Sequence, residues 1–253
     1  RFSPGTPVTA NPLVSCGECR YCRSGAPQLC PGRSLAGAHR PGAFAEYVAI
    51  PERNVYALPE GMIVERGAFA EPFACAVHLC RIARVGADSR VVVYGAGPIG
   101  LCVLQAAKAR GAGEIVVVDL NEKRLEAADA LGAATATVLD DADAGAFDIA
   151  VDAVGARATR QGCVRAVRPG GTVVWTGLHE AASELPINDM IRSEITTIGA
   201  FAYAPEDFET ALRLLGDGVF DLMPWTAYAP LEEGAACFET LISDPGRVAK
   251  ILL

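Results

Sequence analysis

Six residues, Gly95-Ala96-Gly97-Pro98-Ile99-Gly100, constrain this chain more than any others because of what stands on either side of them. Residues 91–94 form a short β-rich run, and an apolar helical run follows to Arg110. In such a strand–turn–helix unit the first glycine makes the tight turn. The second lets the backbone approach a ligand, and the third lets helix pack on strand. The first turn of that helix also offers free N–H groups and a positive dipole end, which suits a pyrophosphate. A second strand at 115–118 ends at Asp119, nineteen residues past the last glycine. A carboxylate there can accept from ribose hydroxyls and repel a 2′-phosphate, so a dinucleotide is expected, with NAD favoured over NADP. Asp119 could instead cap the next helix, but Asn121 is better placed for that.

The same alternation continues along the chain. Further strands are expected at 135–138, 147–151, 172–176 and 195–200, with a helix between the second and third of them ending at Arg168-Pro169-Gly170-Gly171. Short, two-sided apolar strands with helical crossovers require a parallel sheet covered on both faces. The fold class is therefore α/β: a doubly wound parallel Rossmann sheet over residues 76–219. Residues 1–75 are rich in Pro and Gly, with one alternating run at 44–50 that reads as a strand ended by Pro51. Pro205 opens a helix with Phe208, Leu212 and Leu215 on one face. Beyond 220 an amphipathic helix (Leu231, Ala235, Phe238, Ile242) and a strand at 248–253 close the chain.

Composition excludes several classes. With 51% hydrophobic and 21% charged residues, the chain can bury a core and is not intrinsically disordered. Twenty-two basic against thirty acidic residues give a net charge of −8, the wrong balance for a nucleic-acid backbone. The longest uncharged stretch, 91–107, carries Gly95, Gly97, Pro98 and Gly100, so a strand, turn and helix explain it better than a membrane span. No basic, apolar leader is visible at Arg1. Five of the nine cysteines (75, 80, 102, 163 and 237) are scattered among apolar residues and read as small buried hydrophobes, which fits a reducing cytoplasm better than a secreted disulfide framework.

The other four cysteines are a motif. Cys16, Cys19, Cys22 and Cys30 follow a C-x2-C-x2-C-x7-C pattern, and tight x2 spacings let one turn present successive sulfurs to a tetrahedral Zn²⁺. Gly17 and Gly25 let the backbone curl around the ion. No His, Asp or Glu takes a ligand position, so a closed structural zinc is expected, with two disulfides or an iron–sulfur cluster as the alternatives.

With both motifs on one chain in this order, the sequence resembles the zinc-dependent medium-chain dehydrogenases, specifically their polyol and threonine dehydrogenase-like branch. The resemblance runs through Asn11-Pro12-Leu13-Val14-Ser15-Cys16-Gly17, Gly42-Ala43-Phe44-Ala45-Glu46-Tyr47-Val48, Glu71-Pro72-Phe73, the glycine turn, Arg168-Pro169-Gly170-Gly171 and Gly199-Ala200-Phe201-Ala202-Tyr203. It implies a GroES-like, β-rich catalytic domain, split here into 1–75 and 220–253 around the dinucleotide domain, and homodimers or homotetramers. Family members carry roughly eighty further residues ahead of this segment. Those residues supply the Cys and Gly-His-Glu stretch that hold a catalytic zinc. The GroES-like domain is therefore expected to be incomplete here. The chain is expected to be part of a longer one, because a barrel without its opening strands exposes unpaired edges.

The resemblance also assigns residues. Glu71 stands where the branch places a glutamate at or near the catalytic zinc, although Pro72 and an acidic side chain would equally suit a helix N-cap. Gly95, Gly97, Pro98, Ile99, Gly100, Asp119 and Arg124 should line the adenosine and pyrophosphate half of NAD. Thr176, Gly177, Leu178, Ala200, Phe201 and Ala202 should approach the nicotinamide, and Lys250 the pyrophosphate. Tyr203 matches a position near the substrate, but Ala202 stands where animal sorbitol dehydrogenases have an arginine, which argues against a sorbitol-like substrate. His78 lies on the face of Glu71 and reads as a satisfied core histidine. His39 reads as an exposed loop residue, and His179 follows a strand end near the expected nicotinamide.

The activity so implied is hydride transfer between a small alcohol, polyol or amino alcohol and NAD, with a catalytic zinc acting as Lewis acid on the alcohol oxygen. The alternative, should these 253 residues be the whole protein, is a non-catalytic NAD(H)-binding zinc protein. A zinc-free quinone reductase relative is a further rival, against which the cysteine lobe counts.

Overall fold

The computed structural model describes residues 1–253. In chain order the elements are β1 (Val8–Ala10), β2 (Leu13–Val14), α1 (Arg20–Arg23), β3 (Ser34–Leu35), β4 (Val55–Ala57), α2 (Val64–Gly67) and α3 (Ala70–Ile82). Then come β5 (Arg90–Tyr94), α4 (Pro98–Ala109), β6 (Glu114–Val118), α5 (Glu122–Ala130), β7 (Ala134–Ala136), β8 (Phe147–Asp152), α6 (Arg157–Ala166) and β9 (Val167–Trp175). The chain continues through α7 (Ile187–Arg192), β10 (Thr196–Gly199), α8 (Pro205–Gly216), β11 (Thr226–Tyr228), α9 (Gly234–Ser243) and β12 (Lys250–Leu252). Two compact units result, one of residues 1–78 with 201–220, the other of 79–200 with 221–253.

The second unit is built on one sheet of six parallel strands in the order β10-β9-β8-β5-β6-β7. The chain runs outward from β5 to one edge and then back across to the other, which is the doubly wound order with its switch point between β5 and β8. Val91, Val92, Val93, Val117, Val151, Val173 and Val174 are fully buried, as strands covered by helices on both faces demand. Helix α5 starts where expected, with the Asn121 side chain accepting from the Arg124 N–H. The helix expected to end at Arg168–Gly171 stops at Ala166. Residues 167–171 instead enter β9, where a register irregularity opposite Phe147 and Ile149 absorbs them.

The first unit holds two short antiparallel pairs, β1 with β4 and β2 with β3. The Asn54 amide ties them together, donating to the backbone oxygens of Asn11 (2.9 Å) and Leu13 (2.7 Å). Helix α8 belongs to this unit. Its Phe208 ring lies 4.8 Å from Tyr56 and 5.7 Å from Tyr203, and Arg66 donates to the Leu215 and Phe220 carbonyls (3.1 and 2.9 Å). Phe73 stacks on Phe220 at 3.8 Å, and each such buried ring contributes about 1.5–3 kcal/mol.

Residues 221–253 group with the sheet, and at Asp221 a side chain holds the backbone from two sides. The Gln105 amide donates to the Asp221 oxygen (2.9 Å) and accepts from its N–H (2.7 Å). By contacts, residues 201–220 group with the N-terminal segment and 221–253 with the parallel sheet.

Two expected elements are corrected. The run 44–50 joins none of the four sheets, and Phe44 and Tyr47 are largely exposed. Alternation alone makes no strand without a partner to pair with and a face to bury. Helix α9 forms, but it begins after Leu231, and the Phe238 and Ile242 stripe faces outward.

Candidate functional site

Four of the six carboxyl ends in the parallel sheet are followed by a residue singled out by sequence. Gly95 follows β5, Asp119 follows β6, Thr176 follows β9 and Ala200 follows β10. In open α/β sheets this edge, beside the switch point, is where ligands bind.

The glycine turn has the geometry its spacing implies. Gly95 has φ +106°, and a Cβ there would lie 2.8 Å from the Val154 side chain. A Cβ on Gly97 would meet nothing within 4 Å, so the backbone in front of it is open to a ligand. A Cβ on Gly100 would fall 1.7 Å from the Gly95 oxygen. Pro98 and Ile99 open α4, and no side chain caps it, which leaves its first N–H groups for an anion.

Asp119 is held from two sides. One carboxylate oxygen accepts from the Ala96 N–H of the glycine turn at 2.7 Å, the other from the Asn121 N–H at 2.8 Å. Beside it lies a cavity of ≈ 410 Å³ lined by Gly95, Asp119, Leu120, Arg124, Val154 and Thr159 among others. Arg124 Nε is buried there with no hydrogen-bond partner. A buried, unsatisfied donor beside a carboxylate and a glycine turn fits a polar ligand such as a dinucleotide.

Sequence reading missed Asp152, at the end of β8. It is fully buried, and one of its oxygens accepts from the Val154 N–H (3.1 Å), the Gly155 N–H (2.8 Å) and the Thr159 hydroxyl (2.9 Å). The available signal was positional, since Asp152 ends β8 as Asp119 follows β6, with β5 between them. Thr176, Gly177, Leu178 and Ala200 lie in the second unit. Phe201 and Ala202 lie in the first, with the Arg33 guanidinium 4.8 Å over the Phe201 ring. Ala202 has φ +50°, uncommon for a residue with a side chain. Lys250 stands on β12 opposite Thr226 and does not line the cavity.

The four clustered cysteines do converge. Their sulfurs all lie within 4.8 Å of one another, with Cys30–Cys16 at 3.5 Å, Cys19–Cys22 at 3.6 Å and Cys16–Cys22 at 3.8 Å. Zn–S bonds of about 2.3 Å in a tetrahedron place sulfurs about 3.8 Å apart, so the set fits one zinc. All nine cysteines are free thiols. The backbone N–H groups of Glu18 and Cys19 hold the Cys16 thiol down to about 6, toward the thiolate a metal needs.

Glu71 is the second residue of α3, with Ala70 opening the helix, so it does not cap it. The Cys75 thiol lies 3.6 Å from its Oε1. Tyr203, fully buried, donates its hydroxyl to Asn11 Oδ1 at 3.1 Å. Burial first, and then the neighbouring Glu71, push its phenol well up, so it stays protonated. One carboxylate is not a zinc site. The cysteine set is the one cluster of three or more metal-ligating side chains in the structure. His78 is a satisfied core residue, its Nδ1 2.7 Å from Asp207 Oδ2, and His39 is an exposed loop residue that accepts from the Leu35 N–H.

A six-stranded doubly wound sheet with a glycine-lined cavity, in a chain that also carries a four-sulfur metal lobe, defines a metal-containing dinucleotide-binding protein. Comparison with known proteins sharpens this. A profile described as "Zinc-binding dehydrogenase" matches residues 98–217, and one described as "Alcohol dehydrogenase GroES-like domain" matches residues 1–60. The chain is 31% identical to D-xylulose reductase A of Aspergillus niger over 259 residues, covering 96% of this chain and 72% of that protein. An Escherichia coli alcohol dehydrogenase complexed with NADH superposes with a TM-score of 0.91 at 25% identity, covering 98% of this chain and 77% of the other. A Sinorhizobium meliloti dehydrogenase bound to NADP gives 0.88 at 28%, covering 99% and 76%. The chain belongs to the zinc-binding medium-chain dehydrogenases, in their polyol branch.

Proposed function

We propose that this protein transfers hydride between NAD and a hydroxyl of a small polyol, amino alcohol or sugar-like alcohol. The observation that carries the reading is Asp119, fixed by two backbone N–H groups at the mouth of the cavity against the glycine turn. A carboxylate so held accepts from ribose hydroxyls and repels a 2′-phosphate, which favours NAD over the NADP found in one relative.

The bound dinucleotide supplies the hydride acceptor. The chain's own part is to hold and orient it. The open backbone at Gly97 and the uncapped start of α4 take the pyrophosphate, and Asp119 and Arg124 take the adenosine half. Thr176, Gly177, Leu178 and Ala200 flank the nicotinamide half, and Lys250 assists at the pyrophosphate. Within the first unit, Glu71, beside the neutral Tyr203 phenol, is proposed as a zinc ligand where further donors complete a site. The cysteine lobe holds a structural zinc. No helix is long and apolar enough to cross a membrane. We further propose a reducing cytoplasmic setting and a homo-oligomer.

The test follows nicotinamide absorbance in the presence of NAD and a panel of small polyols, amino alcohols and sugar acids. Turnover with some of them supports the reading. Binding of NADH with no turnover across the panel supports a non-catalytic NAD(H)-binding role instead.

A further inference from the structure

Two loops at the carboxyl edge of the sheet touch backbone to backbone. A Cβ on Gly155, after β8, would lie 2.3 Å from the Gly177 carbonyl carbon, and a Cβ on Gly177, after β9, would lie 2.2 Å from the Gly155 nitrogen. The joint is hydrogen-bonded along its length. Asp152 oxygen accepts from the Thr176 and Gly177 N–H groups (3.1 and 2.9 Å), and Gly155 oxygen accepts from the Glu180 N–H (2.8 Å). The Glu180 carboxylate in turn accepts from the Arg157 N–H at the start of α6.

Arg160, one turn further along α6, spans this joint. Its Nη2 donates to the Glu180 oxygen at 3.0 Å and approaches the Gly177 oxygen at 3.5 Å, its Nη1 donates to the Ser183 hydroxyl at 2.9 Å, and its Nε lies 3.6 Å from Asp152 Oδ2. That Asp152 oxygen has no hydrogen-bond partner and is fully buried, so the guanidinium is its counter-charge. The other Asp152 oxygen holds Val154, Gly155 and Thr159. Val154 and Thr159 line the cavity beside Asp119.

We propose that Arg160, through its pairing with Asp152, is a positioning residue for the nicotinamide half of the dinucleotide. It locks the 176–183 loop to the wall of the adenosine cavity, so that both halves of the cofactor meet one rigid edge. The inference rests on the dinucleotide reading above. It assigns the 176–178 backbone its position through a side chain that does not itself face the cavity. The planar fork is essential, because only a guanidinium reaches Ser183, Glu180 and Asp152 together. A lysine keeps the charge beside Asp152 and loses the rest.

The experiment titrates NADH and AMP into the intact protein and into the Arg160→Lys and Arg160→Ala variants by calorimetry, with zinc content measured on each. The expected result is a fall of about tenfold in NADH affinity in both variants. AMP affinity and zinc content stay unchanged, because AMP uses the adenosine half alone. NADH and AMP affinities that fall together would reduce Arg160 to general support of the domain and overturn the proposal. NADH affinity equal to that of the unaltered protein would overturn it as well. The Arg160→Lys variant retains the buried counter-charge and serves where the alanine variant does not fold. Failure of the unaltered protein to bind NADH would instead overturn the dinucleotide reading itself, which separates the two failures.

Discussion

Gly100 lies so close to Gly95 that a methyl group on it would fall 1.7 Å from the Gly95 carbonyl oxygen, whereas Gly97, between them in the same turn, faces open space. Their substitutions therefore part ways. Gly100→Ala forces α4 away from the turn and destabilises the protein by about 1–3 kcal/mol or more. Gly97→Ala leaves the thermal unfolding of the protein nearly unchanged and removes NADH binding by filling the space a pyrophosphate would take. Unfolding curves and NADH titrations on the two variants check this. An equal loss of stability in both would contradict it.

Asp119→Ala removes a carboxylate that faces the cavity and also anchors Ala96 and Asn121. NADH affinity is expected to fall by about 1–2 kcal/mol, about five- to thirtyfold, with relaxed discrimination against NADPH. Unchanged selectivity in a cofactor competition assay would mean that another group reads the ribose.

Buried pairs should be costly to break on one side only. His78→Ala removes the ring nitrogen 2.7 Å from the buried Asp207 carboxylate, which also accepts from the Ala204 N–H. A loss of about 3 kcal/mol in urea unfolding is expected, with less lost in the double variant His78→Leu/Asp207→Leu. A single variant as stable as the parent would show the pair to be neutral.

Acid sensitivity should include the N-terminal edge of the sheet. The Arg90 N–H (2.9 Å) first, and then the Arg168 guanidinium (2.7 Å), hold the Asp148 carboxyl below the usual range. A carboxyl with a depressed native pKa stabilises fully above its unfolded value near 4. That contribution is lost as pH falls through the lower native value. Asp148→Asn should therefore be less stable than the parent at neutral pH, with the difference closing as pH falls from about 5 to about 2. A gap independent of pH would assign the effect to packing.

The sheet was legible because its strands are short valine runs punctuated by turn residues, and 91–94, 115–118 and 147–151 each fall within an observed strand. The metal lobe was legible because x2 spacing alone brings Cys16, Cys19 and Cys22 together. What local pattern could not supply was partnership. The 44–50 run alternates properly yet pairs with nothing in the sheets. Helix α8 was visible as a helix, but its grouping with Tyr56 and Arg66 is decided by residues about 150 positions away. The Asp152–Arg160 pair follows the same rule, since only the crossing of Gly155 over Gly177 gives it a task.

The measurement that bears most directly on the account is the affinity of the unaltered protein for NADH and NADPH, by fluorescence titration under one buffer and salt condition. The account predicts NADH tighter by about tenfold or more, the factor that one charge-assisted contact supplies. Equal affinities, or NADPH the tighter, would contradict the role given to Asp119 and with it the NAD-linked reading.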